Sequence, residues 1–253
     1  MRESRPGTTA LDVLTAPVTV LVGNFGTGKS EIAVNLALAM RARGDEVTLV
    51  DLDLVKPYFR SRLMKADLEQ LGIAVITPQG DRYFADLPIL VPEVRGAVAR
   101  SHAGGGRTIL DVGGDDVGAR VLGSLPGLGE ASRTDVVFVV NGNRPFAETC
   151  PAVVTMIREI EAAAHIGITG LIANTHLIDE TTPETVAAGL ALADEVSAAT
   201  GLPILFGVAL GRILPALAAT STDHHELPWL AIERFITVPL ELRAPANRRR
   251  FPI

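Results

Sequence analysis

Eight consecutive residues, Gly23-Asn24-Phe25-Gly26-Thr27-Gly28-Lys29-Ser30, have the types and spacing needed to hold a phosphate chain. They fit the pattern Gly-x-x-x-x-Gly-Lys-Ser/Thr. Glycines let backbone N–H groups converge on an anion without interference from a Cβ, and the start of the following helix adds partial positive charge. In this pattern Lys29 reaches the β- and γ-phosphates and the Ser30 hydroxyl coordinates Mg²⁺, with Glu31 continuing into the helix. The pattern has mechanical meaning only between a strand and a helix. Both are in place: an apolar run, Val18 to Val22, leads in, and a helical stretch over 31–43 leads out. The chemistry read from this segment is nucleoside triphosphate binding.

Carboxylates follow at the places where such a site needs them. The next apolar run ends Val50-Asp51-Leu52-Asp53, and a later one ends Leu110-Asp111-Val112-Gly113-Gly114. In an open parallel sheet, ligands bind beyond the carboxyl ends of the strands. Asp51 and Asp111 are therefore candidate Mg²⁺ ligands together with Ser30, and Asp53 is a candidate for orienting the attacking water. Gly113 and Gly114 would let the backbone approach a terminal phosphate. Asn174 ends a further strand, at the same edge of the sheet. The guanine-reading Asn-Lys-x-Asp tetrad is absent, since Thr175 and Leu177 stand where Lys and Asp would be, so ATP is expected rather than GTP. The segment Asn141-Gly142-Asn143-Arg144-Pro145-Phe146 follows another strand and should lie on the ligand side, where Arg144 faces a phosphate, an acidic partner or solvent.

The elements that position these residues read as strands over 18–22, 46–51, 73–76, 108–112, 135–140, 168–174 and 204–208. They are mostly apolar without polar alternation, as expected for parallel strands covered on both faces. Helices supply the crossovers. Gly44 and Gly72 stand where helices stop, and Met64, Leu68 and Leu71 mark one helix face, as Val153, Met156, Ile157 and Ile160 mark another. A helix over 86–100 is expected to begin irregularly at Pro88 and Pro92. At the next helix start, Thr182-Pro183 competes with a Thr181/Glu184 capping box. The fold expected is α/β, a doubly wound and mostly parallel sheet flanked by helices. Its nucleotide-binding domain would span 1–220, with 221–253 as a C-terminal extension and tail.

Composition narrows the class further. A 47% apolar share gives ample core, and a net charge of −6 argues against a large nucleic-acid footprint. Cys150 is the only cysteine, so an intrachain disulfide and a Cys-built zinc site are excluded. No stretch of about 18 apolar residues suggests a membrane span, and cytoplasmic residence is expected. His224 and His225 read as surface loop rather than metal ligands, and the Arg248–Arg250 end as a basic tail.

The order of these motifs resembles the MinD/ParA group of P-loop ATPases, of the SIMIBI class, over roughly residues 17–210. That resemblance implies Mg²⁺-ATP as cofactor, hydrolysis to ADP, a homodimer and a nucleotide-dependent switch acting on a protein partner. It implies Lys29 and Asp53 as catalytic residues and Asn174 as a contact to the purine. Asn24 departs from the group, which usually carries a signature lysine there, and Phe25 replaces a usual glycine; Lys56 and Arg60 are candidate substitutes for the missing charge. A small-molecule synthetase of the dethiobiotin or cobyrinic acid a,c-diamide type, or a small-molecule kinase, is the alternative on the same fold.

Overall fold

The computed structural model describes residues 9–53, 61–77, 83–114, 116–125, 127–129, 133–220 and 226–235. Lys56, Arg60, Asp115, His224, His225 and the basic tail lie outside them. Eight strands form one sheet in which every pairing is parallel: β1 Val18–Val22, β2 Val47–Leu52, β3 Ile73–Ile76, β4 Arg107–Val112, β5 Thr134–Val140, β6 Gly170–Ala173, β7 Ile204–Leu210 and β8 Trp229–Ile232. Their order is β3-β2-β4-β1-β5-β6-β7-β8. The chain winds outward from β1 in one direction, then crosses after β4 to the other. That reversal leaves a crevice at the carboxyl end of β1, where α/β sheets bind ligands.

Both faces of the sheet are covered, which is why the strands show no polar alternation. Val18, Val20 and Val22 of β1 enter one core with Leu110, Phe138 and Val153, while Leu21 enters the opposite core with Ile32, Leu36 and Ile109. The helices of the second core are α1 Ala10–Val13, α2 Lys29–Ala42 and α3 Ser61–Gln70; those of the first include α4 Tyr83–His102, α5 Asp116–Gly123, α6 Cys150–Ala164 and α7 Pro183–Thr200. The short α8 Leu214–Thr220 packs near α7. Each large aliphatic side chain so buried contributes roughly 1.5–3 kcal/mol.

Local signals decide most boundaries. Gly44 and Gly72 hold φ of 94° and 79° after α2 and α3, and Thr182 rather than Thr181 caps α7, accepting from Thr185 N–H at 3.3 Å. Met64, Leu68, Val153 and Ile157 are buried as their spacing requires. The short helices α1 and α8 were not read from the sequence, and the structure differs from that reading more instructively in three further places. Helix α4 runs through both prolines. Strand β6 starts late because side chains intervene at its entry: Ile168 N–H donates to Glu161 Oε1 at 2.9 Å, and Val136 N–H to Thr169 Oγ1 at 3.0 Å. The sequence reading missed β8 altogether, although it pairs with β7 from Gly207↔Trp229 to Leu210↔Ile232. Its run, Trp-Leu-Ala-Ile, is as short as β3 but lies past 221, outside the helix–strand alternation that marked the other strands.

Gly189 in α7 links packing to the site. A Cβ there would overlap Cβ and Oγ1 of Thr175, whose hydroxyl accepts from Gly142 N–H at 3.1 Å. Helix propensity favours Gly→Ala by up to about 1 kcal/mol, but an overlap in a packed interior costs roughly 1–3 kcal/mol. The clash wins, and Gly189→Ala is expected to lower the urea midpoint with an unchanged m-value.

Candidate nucleotide site

The loop from β1 to α2 is built on left-handed glycines, with φ of 140°, 74° and 91° at Gly23, Gly26 and Gly28. Gly28 needs its lack of a side chain twice over, since an added Cβ would also stand 2.5 Å from Asn174 Nδ2. That Nδ2 donates to Thr27 O at 2.7 Å, so Asn174, 2% exposed, braces the loop from the end of β6. Thr27 Oγ1 donates to Asn24 O at 2.9 Å. Lys29 is buried and folds back over the loop, its Nζ donating to Gly23 O at 3.0 Å and Asn24 O at 2.8 Å. Those carbonyls offset part of the cost of burying an ammonium.

Asp51 and Asp111 are brought together by register: they are direct partners on the adjacent strands β2 and β4, and Asp111 also pairs with Leu21 of β1. Both are buried, and together with Ser30 at the start of α2 they line one small pocket. Three oxygen-bearing side chains from three elements thus meet below the loop. Asp53, also buried, lies one strand step beyond, its N–H donating to Asp51 Oδ1 at 3.0 Å. No group of three or more His, Cys, Asp or Glu side chains capable of holding a metal occurs among the described residues.

Gly114 lies against the loop itself: an added Cβ would come 2.6 Å from Phe25 N, 2.8 Å from Asn24 C and 2.9 Å from Gly23 O. The carboxyl end of β4 therefore packs backbone to backbone on the phosphate loop. Glu31 points elsewhere, its carboxylate accepting from Phe235 N–H. Asn35 one turn later bonds both backbone groups of Glu233, at 3.0 Å each. This clamp between α2 and the segment after β8 was not visible in the sequence, where Asn35 is one polar residue in a helix.

The 141–147 segment does lie on the ligand side. Arg144 Nε donates to Gly26 O at 2.6 Å, and Asn24 Nδ2 donates to Pro145 O at 2.6 Å. Phe25 and Phe146 beside them are exposed. His176, which sequence reasoning passed over, is tucked between these groups. Burial, followed by repulsion from Arg144 and Arg234, pushes its imidazole down to about 4.

Comparison with known proteins agrees with this geometry. Residues 14–79 match the ParA family, described as the NUBPL iron-transfer P-loop NTPase. Over these residues the chain is similar to ParA-type P-loop NTPases. The match spans β1, the phosphate loop, α2, β2, α3 and β3. The cytosolic Fe-S cluster assembly factor Nubp2 homologs of Drosophila grimshawi and Drosophila virilis are each 47% identical over 47 residues, covering 19% of this chain. The chain spans 18% of the length of those relatives. In fold, the chain is like FtsY from Mycoplasma mycoides, with a TM-score of 0.51 at 15% identity over 76% of this chain and 59% of that one. No helix among the described residues is long and apolar enough to cross a membrane.

The His176 shift fixes the sign of a pH effect. Above its ordinary value of 6.5 the ring is neutral in both folded and unfolded chains; between 6.5 and about 4 only the unfolded chain takes up the proton. Stability contributed by the neutral ring is therefore lost as pH falls through that window, by on the order of 1–3 kcal/mol. Urea denaturation at about pH 7 and about pH 4.5 should show a smaller drop in His176→Gln than in the unsubstituted protein.

Proposed function

We propose that this protein is a ParA-type P-loop NTPase that binds Mg²⁺-ATP and hydrolyses it to ADP as a nucleotide-dependent switch, working as a homodimer or on a protein partner. The observation that carries the reading is the meeting of Ser30, Asp51 and Asp111 in one pocket at the amino end of α2. Hydroxyl and carboxylate oxygens are the donors Mg²⁺ takes, and the ion needs few protein ligands because phosphates and water supply the rest. Ser30, Asp51 and Asp111 would hold the ion, which would neutralise charge that develops on the phosphates.

The chain's own groups do the remaining work in this reading. Loop amides from Gly23 to Ser30 cradle the phosphates, with Lys29 leaving the carbonyls of Gly23 and Asn24 to pair with phosphate oxygen. Asp53 orients the attacking water from its buried place beside Asp51. Asn174 serves the purine side while bracing Thr27. Gly114, packed on Gly23–Phe25, converts a shift of the loop into a shift of the segment after β4, which is the means of switching. Preference for ATP rests on Thr175 and Leu177, which lack the lysine side chain and the carboxylate of the guanine-reading tetrad.

An iron–sulfur role like the one in the relatives' name would require several cysteine thiolates. Cys150 is the only cysteine of the chain, which favours action on a protein partner over carriage of a cluster by this chain's own ligands.

Calorimetry with Mg²⁺ and ATP, ADP or GTP tests the reading. The protein is expected to bind ATP more tightly than GTP, and Lys29→Ala to lose triphosphate affinity by roughly 100-fold or more, the loss expected for a buried charge-assisted contact. Equal binding by Lys29→Ala would overturn the assignment. Light scattering with a non-hydrolysable ATP analogue is expected to show a doubled mass; an unchanged mass would remove the dimer from the proposal.

A further inference from the structure

Residues 141–147, between β5 and α6, are fixed against the phosphate loop more firmly than a surface turn requires. Asn143 N–H donates to Asn141 Oδ1 at 3.0 Å, Gly142 N–H to Thr175 Oγ1 at 3.1 Å and Ala147 N–H to Arg144 O at 3.0 Å. Phe146 holds φ at 65°, a left-handed conformation that bulky residues avoid unless their surroundings impose it. The result is the placement of one side chain. Arg144 Nε donates to Gly26 O at 2.6 Å, and its Cδ and Nε would each lie 3.3 Å from a Cβ on Gly26.

Only part of that side chain's hydrogen-bonding capacity is used. The guanidinium is half-buried, and desolvation weakens its hold on its proton. Among the described residues its two Nη groups make no hydrogen bond and Arg144 makes no ion pair. A partly desolvated cation is unfavourable until an anion meets it, and the arginine fork suits phosphate oxygens.

Asn24 explains how the segment reaches the loop. Its Oδ1 accepts from Phe25 N–H at 2.6 Å while its Nδ2 holds Pro145 O at 2.6 Å. Both ends of this amide are committed to protein, so Asn24 works as a tether that draws the Arg144 segment onto the phosphate loop.

We propose that Arg144 contacts the phosphate chain of the bound nucleotide from within the same chain, supplying beside Lys29 a second positive charge that the neutral Asn24 does not provide. This rests on the triphosphate reading above. Burial at Gly26 positions the charge, the tether at Asn24 sets its distance, and the unused Nη donors meet phosphate oxygen as the nucleotide seats.

Steady-state hydrolysis of Mg²⁺-ATP by the full chain tests it, with thermal denaturation to verify that each variant is folded. Arg144→Ala is expected to lower kcat by roughly 10- to 1,000-fold, the range for losing one preorganised charged donor. Arg144→Lys should recover part of that loss. Millimolar guanidinium should restore part of the Arg144→Ala rate and none of the Lys29→Ala rate. Mixing Arg144→Ala with Lys29→Ala chains should give no more than the sum of their separate rates, because the charge acts in cis. Full activity in Arg144→Ala, a loss that neither Arg144→Lys nor guanidinium relieves, or recovery on mixing would each overturn the proposal. If the unsubstituted protein neither binds nor hydrolyses a triphosphate, the nucleotide reading itself fails; if it does both and Arg144→Ala equals it, only the role of Arg144 falls.

Discussion

The burial of β1 on both of its faces is the constraint from which the site follows. Val18, Val20 and Val22 are locked into one core and Leu21 into the other, with β4 and β5 hydrogen-bonded on either side. A strand held in this way cannot slide or tilt without disturbing two cores, because a one-residue slip would exchange its faces. The glycine loop that leaves it is therefore delivered to one point in the crevice, and α2 starts where Leu21 and Ile32 share a core. The same parallel register sets Asp51 beside Asp111. No side-chain interaction is needed to bring these two acids together; the backbone ladder does it.

Charge is managed around that point by local compensation. Lys29 is satisfied by loop carbonyls, His176 is kept neutral by burial and two arginines, and Arg144 leans on the carbonyl of Gly26. These arrangements hold cations and polar groups inside a poorly solvated crevice, where an electrostatic contact with phosphate gains strength over the same contact in water. Glycines transmit position between the parts. Gly28 admits Asn174, Gly114 admits the loop backbone, and Gly189 admits Thr175, whose hydroxyl in turn holds Gly142. The chain of close approaches runs from α7 through β6 to the phosphate loop and back to the end of β4, so a shift at the loop has packed neighbours to move. On the other side of the loop, α2 carries the segment after β8 through Asn35 and Glu31.

The nucleotide motif was legible because its meaning is local. Gly23 to Ser30 are contiguous, and the flanking strand and helix can be read from apolar runs and glycine stops within a few residues. The carboxylates Asp51 and Asp111 were legible one step less directly, since the rule that parallel strands present ligands at their carboxyl ends locates both without knowledge of their neighbours. The tether role of Asn24 was hidden, because its partner Pro145 lies 121 residues away.

By itself, then, the sequence determined what most short stretches become: seven of the eight strands, the helix stops at Gly44 and Gly72, and a glycine-rich loop between a strand and a helix. Tertiary structure alone decided which stretches lie side by side. It chose the order β3-β2-β4-β1-β5-β6-β7-β8, added β8 at the far edge, set Asn174 and Arg144 on the adjacent carbonyls of Thr27 and Gly26, and turned Glu31 toward Phe235. The physical reason is the range of the forces involved. Backbone propensity and glycine conformations act within a few residues, whereas ladder pairing and burial select among partners anywhere along the chain by the fit of surfaces that do not exist until it folds.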